Sequence, residues 1–182
     1  IVGREGLLST PAASNLIRLN KALAGIILSA SHNPGGIYGD FGVKVNVSNG
    51  GPAPESLTNK IFSTSQSLTR YKLCEVEIPD LSECGGYLIN KMELEIIDGI
   101  EDYVSLMETI FDMDKISDFL KTDFPIIFDA MNAVTGPYAK KILIEKIGLP
   151  QDSLMNGIPL PDFGDLHPDP NLTYANKLAD LL

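Results

Sequence analysis

The sequence predicts an α/β protein in which mixed or parallel sheets are layered with helices. Short apolar or alternating runs, Ile26-Ile27-Leu28-Ser29 and Val43-Lys44-Val45-Asn46-Val47, have the length of strands and are bounded by turn residues. Segments with apolar residues at helical spacing begin at proline, as at Thr10-Pro11, Pro54 and Gly136-Pro137. The two kinds of segment alternate with short joins, the order that builds a strand layer covered by helices.

In chain order, Thr10-Pro11 offers a hydroxyl cap and a first-turn proline to a helix running through Ala13, Leu16, Ile17 and Asn20 toward Ala24, with Gly25 closing it. Ile26 to Ser29 then suits a buried strand, ended by Asn33-Pro34-Gly35-Gly36. In the alternating strand after it, Lys44 faces opposite to Val43 and Val45. Pro54 opens a helix to about Gln66 with Leu57, Ile61 and Phe62 on one stripe. Ser63 to Lys91 is rich in Ser, Thr, Glu and Gly, which predicts surface connections around a strand near Leu73 to Ile78. Met92 to Ile97 alternates as a strand. Ile100, Tyr103, Val104, Met107, Ile110 and Phe111 recur at helical spacing behind Asp98 as a cap, a stripe assigned to the core.

A second α/β unit opens with a strand from Pro125 to Phe128 ending in Asp129. A helix from Gly136-Pro137 through Tyr138, Lys141, Ile142 and Glu145 follows, finished by Gly148. A third strand fits Met155 to Leu160, and a last helix begins after Pro170. This order predicts a parallel, right-handed crossover. The domain boundary is placed in the helix from Gly99 to Phe111, dividing the chain into 1–103 and 104–182.

At 182 residues and 44% hydrophobic, the chain can bury a real core. Its 14 basic against 24 acidic residues argue against a nucleic-acid partner, which needs clustered Lys and Arg. No apolar run approaches the ~20 residues that span a bilayer, and Ile1-Val2-Gly3-Arg4-Glu5-Gly6 does not resemble a signal peptide, so a soluble, cytoplasmic protein without a membrane partner is expected. Cys74 and Cys84 lack zinc spacing and read as ordinary thiols. The glycosylation patterns at Asn46 and Asn171 have no supporting secretion signal. A start at Ile1 and a stop at Asp180-Leu181-Leu182, inside a running helix, read as those of a piece of a longer protein.

Ser31 falls where an apolar run meets a turn. A strand end fixes a hydroxyl, while the glycines after Pro34 let the backbone close on an anion and aim N–H groups at it, so this is a place for phosphate on or beside a serine. With Ser29 and Asn33 two positions either side, Ser31 is not in a Gly-x-Ser-x-Gly elbow. His32, adjacent in an extended segment, points away from Ser31 and is a poor general base for it. On composition alone the stretch is an ordinary turn. Asp162, Asp165, His167 and Asp169 form an acidic-histidine cluster whose mixed donors suit a solvated loop and helix entry better than a metal cage.

Ala30-Ser31-His32-Asn33-Pro34-Gly35-Gly36, followed by Gly39-Asp40-Phe41-Gly42-Val43-Lys44, resembles the phosphoserine loop of the alpha-D-phosphohexomutases. Asn46 to Glu55 resembles the phosphoglucomutase branch, and two later stretches agree: Phe128 to Met131 with Gly136 to Leu143, and Asp162 to Gly164 with His167 to Ala175. The resemblance implies most of a first domain, at 1–103, and the beginning of a second, at 104–182. It also implies interconversion of glucose 1-phosphate and glucose 6-phosphate, a reaction of glucose metabolism. Ser31, phosphorylated at rest, passes its phosphate to the sugar and takes one back, through glucose 1,6-bisphosphate. Burial of the ester at the turn is expected to exclude water.

The same resemblance makes Mg²⁺ the metal, with the Ser31 phosphate as one ligand; the other three come from an Asp-Gly-Asp-Gly-Asp-Arg loop absent from this chain. Lys44 resembles the lysine the family uses at the reacting phosphate, and His32 and Asn33 are assigned to hydrogen bonds with the phosphate or its loop. The expected partner is a phosphosugar and the expected state a monomer; the segment alone is expected to be inactive. A phosphomannomutase or dual-specificity mutase is the alternative within the class, and a catalytically silent phosphoprotein scaffold the alternative outside it. Asn132-Ala133 stands where the family carries His-Gly, and Asp165-Leu166 where it carries Gly-His.

Overall fold

Ser9, rather than Thr10, caps the first helix: its side chain accepts the Ala12 N–H at 3.3 Å, and Pro11 fills the first turn of α1 (Thr10–Leu19). The helix stops at Asn20, well before Gly25, because the Asn20 side chain donates to the Leu16 carbonyl at 3.0 Å and Lys21 turns to φ 51°. Gly25 instead lies inside β2 (Ala24–Leu28), where a Cβ would stand 2.6 Å from Ile17 Cδ1. Its lack of a side chain lets the strand approach the helix.

The computed structural model describes residues 1–34, 36–122 and 124–181. Within it the chain divides into two units, Ile1–Ile27 with Lys44–Gly99, and Leu28–Val43 with Ile100–Leu182. In the first unit β1 (Val2–Gly3) pairs parallel with β5 (Met92–Ile97), which pairs antiparallel with β4 (Gly85–Ile89). The connection from β4 to β5 is the two-residue turn Asn90-Lys91, with Asn90 at φ 54°. The strand expected near Leu73 to Ile78 is absent; that segment has no regular structure, and the hairpin begins at Gly85.

Among the described residues β2 pairs only with β3 (Val43–Val47), which is as expected from its alternation. The reading of β2 as a buried strand fails at two of its three large residues: Ile27 is 8% exposed, but Ile26 and Leu28 are 72% and 64% exposed. A two-stranded sheet has too little surface to cover both faces. Asn46 is buried, donating to Ser14 Oγ at 3.1 Å and to the Gly50 carbonyl at 2.9 Å, which removes it as a glycan acceptor. α2 (Glu55–Ser67) follows Pro54 as predicted, but its stripe of Leu57, Ile61 and Phe62 is exposed.

Besides Leu28–Val43, the second unit holds most of α3 (Gly99–Ile110), then α4 (Met113–Leu120), a helix not expected from the sequence pattern, which Asp112 caps through the Lys115 N–H at 3.1 Å. Val104 is buried, and Tyr103 packs edge-on against Tyr138 at 5.3 Å. β6 (Phe128–Asp129) and β7 (Leu154–Met155) pair parallel, as predicted, but each is two residues long, shorter than expected. Between them α5 (Thr135–Ala139) continues as a π-helical stretch, Lys140–Lys146, whose end is drawn in by Ile147 N–H donating to the Ile142 carbonyl at 2.9 Å and by Gly148 at φ 84°. Ile144, Ile147 and Leu149 form the core, against Met113, Ile116, Leu120, Ile126 and Leu154. Lys141 bridges Glu101 at 2.6 Å and Glu145 at 3.2 Å, and Lys146 pairs with Glu108. The last helix, α6 (Asn176–Ala179), begins later than expected because the Asn171 side chain accepts from Thr173 and Tyr174 N–H and holds that segment in turns. Among the described residues no helix is long and apolar enough to cross a membrane.

Candidate functional site

β2 ends at Leu28 and the chain turns at once. Ser29 N–H donates to the Gly42 carbonyl at 2.9 Å, and the Ser29 hydroxyl accepts the Ser31 N–H at 3.0 Å. Asn33 N–H donates to the Ala30 carbonyl at 3.2 Å, closing a four-residue turn with Ser31 and His32 at its centre. Ser31 takes φ 62°, a left-handed backbone that a residue with a Cβ rarely adopts. Further on, Gly39 N–H donates to the Gly36 carbonyl at 3.0 Å, and Gly36 stands at φ 93°. Gly35, expected to help wrap an anion, lies outside the described residues.

Ser31, His32 and Asn33 therefore share one turn. Its backbone corrects two expectations. The segment is bent, not extended, at Ser31 and His32. Ser31 is also exposed instead of buried, on a turn that leaves the end of β2. Lys44 is the second residue of β3, is exposed, and belongs to the other unit.

The loop's second half has its own constraint. A Cβ on Gly42 would overlap the Ser29 carbonyl oxygen, so only glycine lets the returning chain lie this close to the residue that ties Ser31 down.

In the second unit the C-terminal ends of β6 and β7 carry a polar network that sequence reasoning had not assembled. Asp129 Oδ1 accepts from Met131 N–H at 2.9 Å and from Asn156 Nδ2 at 2.8 Å. Asn132 N–H donates to the Asn156 carbonyl, and Asn132 Nδ2 to the Ile158 carbonyl, both at 2.9 Å. Asn132 thus serves as a loop clamp at one of the two positions where the residues depart from the family pattern. The available signal was Asp129 at the end of an apolar run. A groove of about 680 Å³ in this unit, lined by Phe124, Ile126, Leu149 and their neighbours, includes none of Ser31, His32, Asn33 or Lys44.

Within the acidic-histidine cluster the loop takes up two carboxylates, while His167 Nδ1 is buried with no hydrogen-bond partner among the described residues. Asp162 accepts from Gly164 N–H at 2.9 Å, Asp169 from Asn171 Nδ2 at 2.7 Å, and His167 stacks on Tyr174 at 4.0 Å. Among the described residues no three His, Cys, Asp or Glu side chains gather as a metal site. Of the Mg²⁺ ligands the resemblance implies, this chain offers only the Ser31 position.

The α/β order, with a left-handed serine turn between β2 and β3, is that of a chain of the phosphohexomutase class, as comparison with known proteins shows. The family signature "Phosphoglucomutase/phosphomannomutase, alpha/beta/alpha domain I" matches residues 2–72. The phosphoglucomutase of Aspergillus fumigatus is 53% identical over 99% of this chain and 33% of its own length, and the chloroplastic phosphoglucomutase of Arabidopsis thaliana is 50% identical over 100% of this chain and 29% of its own. The open form of the exocytosis-sensitive phosphoprotein pp63/parafusin, a phosphoglucomutase from Paramecium, superposes with a TM-score of 0.92 at 42% identity, over 99% of this chain and 34% of that one. The chain belongs to the alpha-D-phosphohexomutase superfamily and within it groups with the phosphoglucomutases. It spans about a third of the length of the curated relatives it matches.

Proposed function

We propose that this chain supplies the phosphoryl-carrying serine of a phosphoglucomutase that interconverts glucose 1-phosphate and glucose 6-phosphate. The observation that carries the reading is the exposed Ser31 hydroxyl on a turn fixed at the end of β2. In the forward half-reaction the Ser31 Oγ–P bond breaks as a bond forms between phosphorus and the sugar hydroxyl oxygen. The hydroxyl proton leaves to a base, and the departing Ser31 Oγ takes up a proton to leave the free serine. In the return half-reaction Ser31 Oγ, giving its proton to a base, bonds to the other phosphorus of glucose 1,6-bisphosphate as the bond from that phosphorus to the sugar oxygen breaks; the sugar oxygen takes up a proton, and the phosphoserine and the product sugar monophosphate result. Lys44 offsets the negative charge at the reacting phosphate or takes the proton, and His32 and Asn33 hold the phosphate or its loop. Mg²⁺, when bound, neutralises charge on the phosphate oxygens.

Residues 1–103 then form most of a first domain and 104–182 the beginning of a second, in a cytoplasmic monomer with a phosphosugar substrate. Dual specificity toward mannose phosphates is the second outcome to test. A silent phosphoprotein scaffold is the third, and the name of the Paramecium relative, which joins both descriptions, keeps it in view.

The test is the intact mass of the full-length gene product before and after incubation with glucose 1,6-bisphosphate, with peptide mapping, beside rates on glucose 1-phosphate and mannose 1-phosphate. One phosphoryl group on Ser31, lost together with turnover in Ser31→Ala and with transfer slowed in Lys44→Ala, is the expected result; the isolated 182 residues should be silent. A Ser31→Ala variant that still turns over glucose 1-phosphate overturns the reading.

A further inference from the structure

We propose that the Ser29 hydroxyl is a positioning group for Ser31, setting the direction of its Oγ; the inference rests on the reading of Ser31 as the phosphoryl carrier. Ser31 is held at φ 62°, and a left-handed backbone at a residue with a Cβ persists only where its surroundings fix it. The fixing contact from a side chain is Ser29 Oγ, which accepts the Ser31 N–H at 3.0 Å. Ser29 is itself tied across the loop, donating its N–H to the Gly42 carbonyl at 2.9 Å, while its own carbonyl oxygen occupies the space a Gly42 side chain would need. The chain from Gly42 through Ser29 to Ser31 is thus one continuous set of contacts ending on the reacting residue.

Without that acceptor, the Ser31 backbone is free to relax toward negative φ, a rotation of roughly 120° that re-aims the Cα–Cβ bond and with it Oγ. Phosphoryl transfer depends on in-line placement of the attacking and leaving oxygens, so the loss falls on the rate of transfer and leaves substrate affinity unchanged. Because Ser29 touches neither sugar nor phosphate in this assignment, it is a positioning residue and not a catalytic one. A threonine keeps the acceptor; alanine and valine remove it.

The experiment compares Ser29→Ala, Ser29→Thr, Ser29→Val and Ser31→Ala in the full-length gene product, with glucose 1-phosphate as substrate. Ser29→Ala is expected to lower kcat by at least about ten-fold with KM within about two-fold of the parent and an unchanged melting midpoint, and Ser29→Thr to restore kcat to within about three-fold. Should Ser29→Ala fail to fold, the Thr and Val pair decides, since both are β-branched and differ only in the hydroxyl. Equal kcat for the Thr and Val variants, or a parent-like kcat in Ser29→Ala, overturns the proposal while an inactive Ser31→Ala leaves the phosphoserine reading standing. An active Ser31→Ala overturns both.

Discussion

Replacing Gly136 by alanine tests how tightly the second unit is closed around its parallel strand pair. A Cβ there would overlap the Gly157 carbonyl oxygen and stand 2.6 Å from its carbon. Restoring ordinary carbon–carbon contact at ~3.5 Å needs a shift of about 1 Å. No rotamer change supplies it, since the obstacle is backbone. Gly157 lies between the two carbonyls that hold Asn132, those of Asn156 and Ile158, each at 2.9 Å, so a shift of this size breaks both bonds. At about 1 kcal/mol each, with ~1–3 kcal/mol for overpacking and about 1 kcal/mol regained from alanine's better helix propensity, the net loss is about 2–4 kcal/mol.

Urea melts followed by near-UV circular dichroism measure it. The chain has no tryptophan, and the Tyr103–Tyr138 edge-on pair reports on this unit. With a urea slope of ~2 kcal/mol per molar, the midpoint should fall by about 1–2 M. Gly86→Ala is the control, because a Cβ there meets nothing within 4 Å, and its midpoint should stay near the parent's. A Gly136→Ala protein that unfolds at or above the parent midpoint would refute the close approach and the network built on it.

Two further substitutions separate specific contacts from their neighbours. Ser9→Ala should cost about 1 kcal/mol by removing the α1 cap, whereas Thr10→Ala, one residue inside the helix, should stay within ~0.5 kcal/mol; thermal melts of the two decide which hydroxyl caps. The backbone N–H of Lys115, with its side chain second, holds the Asp112 carboxyl below the usual aspartate range. A depressed folded value means the carboxylate's contribution is full above about pH 4 and is lost as pH falls through that lower value. Asp112→Asn keeps a capping acceptor without the titration, so urea midpoints at pH 6 and pH 3 should diverge more for the parent than for Asp112→Asn. Parallel curves would sink the assignment.

Much of the element order was legible because it depends on local chemistry. Proline at a first helical turn located α1 and α2, alternation located β3 and β5, and the Gly136-Pro137 start with Gly148 at the end bounded the helix between β6 and β7. Failures came where position depends on partners. Gly25 looked like a helix end but is glycine because Ile17 packs against it, and β4 went unseen because its turn is Asn-Lys rather than a pair containing glycine. Burial was overestimated at Ile26 and Leu28, since an apolar residue reveals a preference for cover and not whether a neighbouring layer is there. At the site, Ser31, His32 and Asn33 could be picked out as a strand-end turn, but the role of Ser29 could not. A hydroxyl two residues away is informative only once the backbone bends.

The same bend recurs, and comparing its occurrences shows what distinguishes Ser31. After β6, Asp129 accepts the N–H of Met131, two residues on, which stands at φ 52°; after β2, Ser29 does the same for Ser31 at φ 62°. Asp162 repeats the contact with Gly164 at φ 68°. The contact accompanies these three left-handed bends without dictating them, since the N–H groups of Ser82 and Thr173 donate to Asp80 and Asn171 in the same way with no positive φ; among the three, Gly164 is the one relieved by glycine. Strain alone therefore does not mark a reactive group, since Met131 carries the same strain and is buried at 7% exposure, where it packs. What differs at Ser31 is that the strained residue bears a hydroxyl and presents it to solvent. A turn built only to redirect the chain gains nothing from that combination, whereas the proposed handing of a phosphoryl group to a diffusing sugar requires both parts of it.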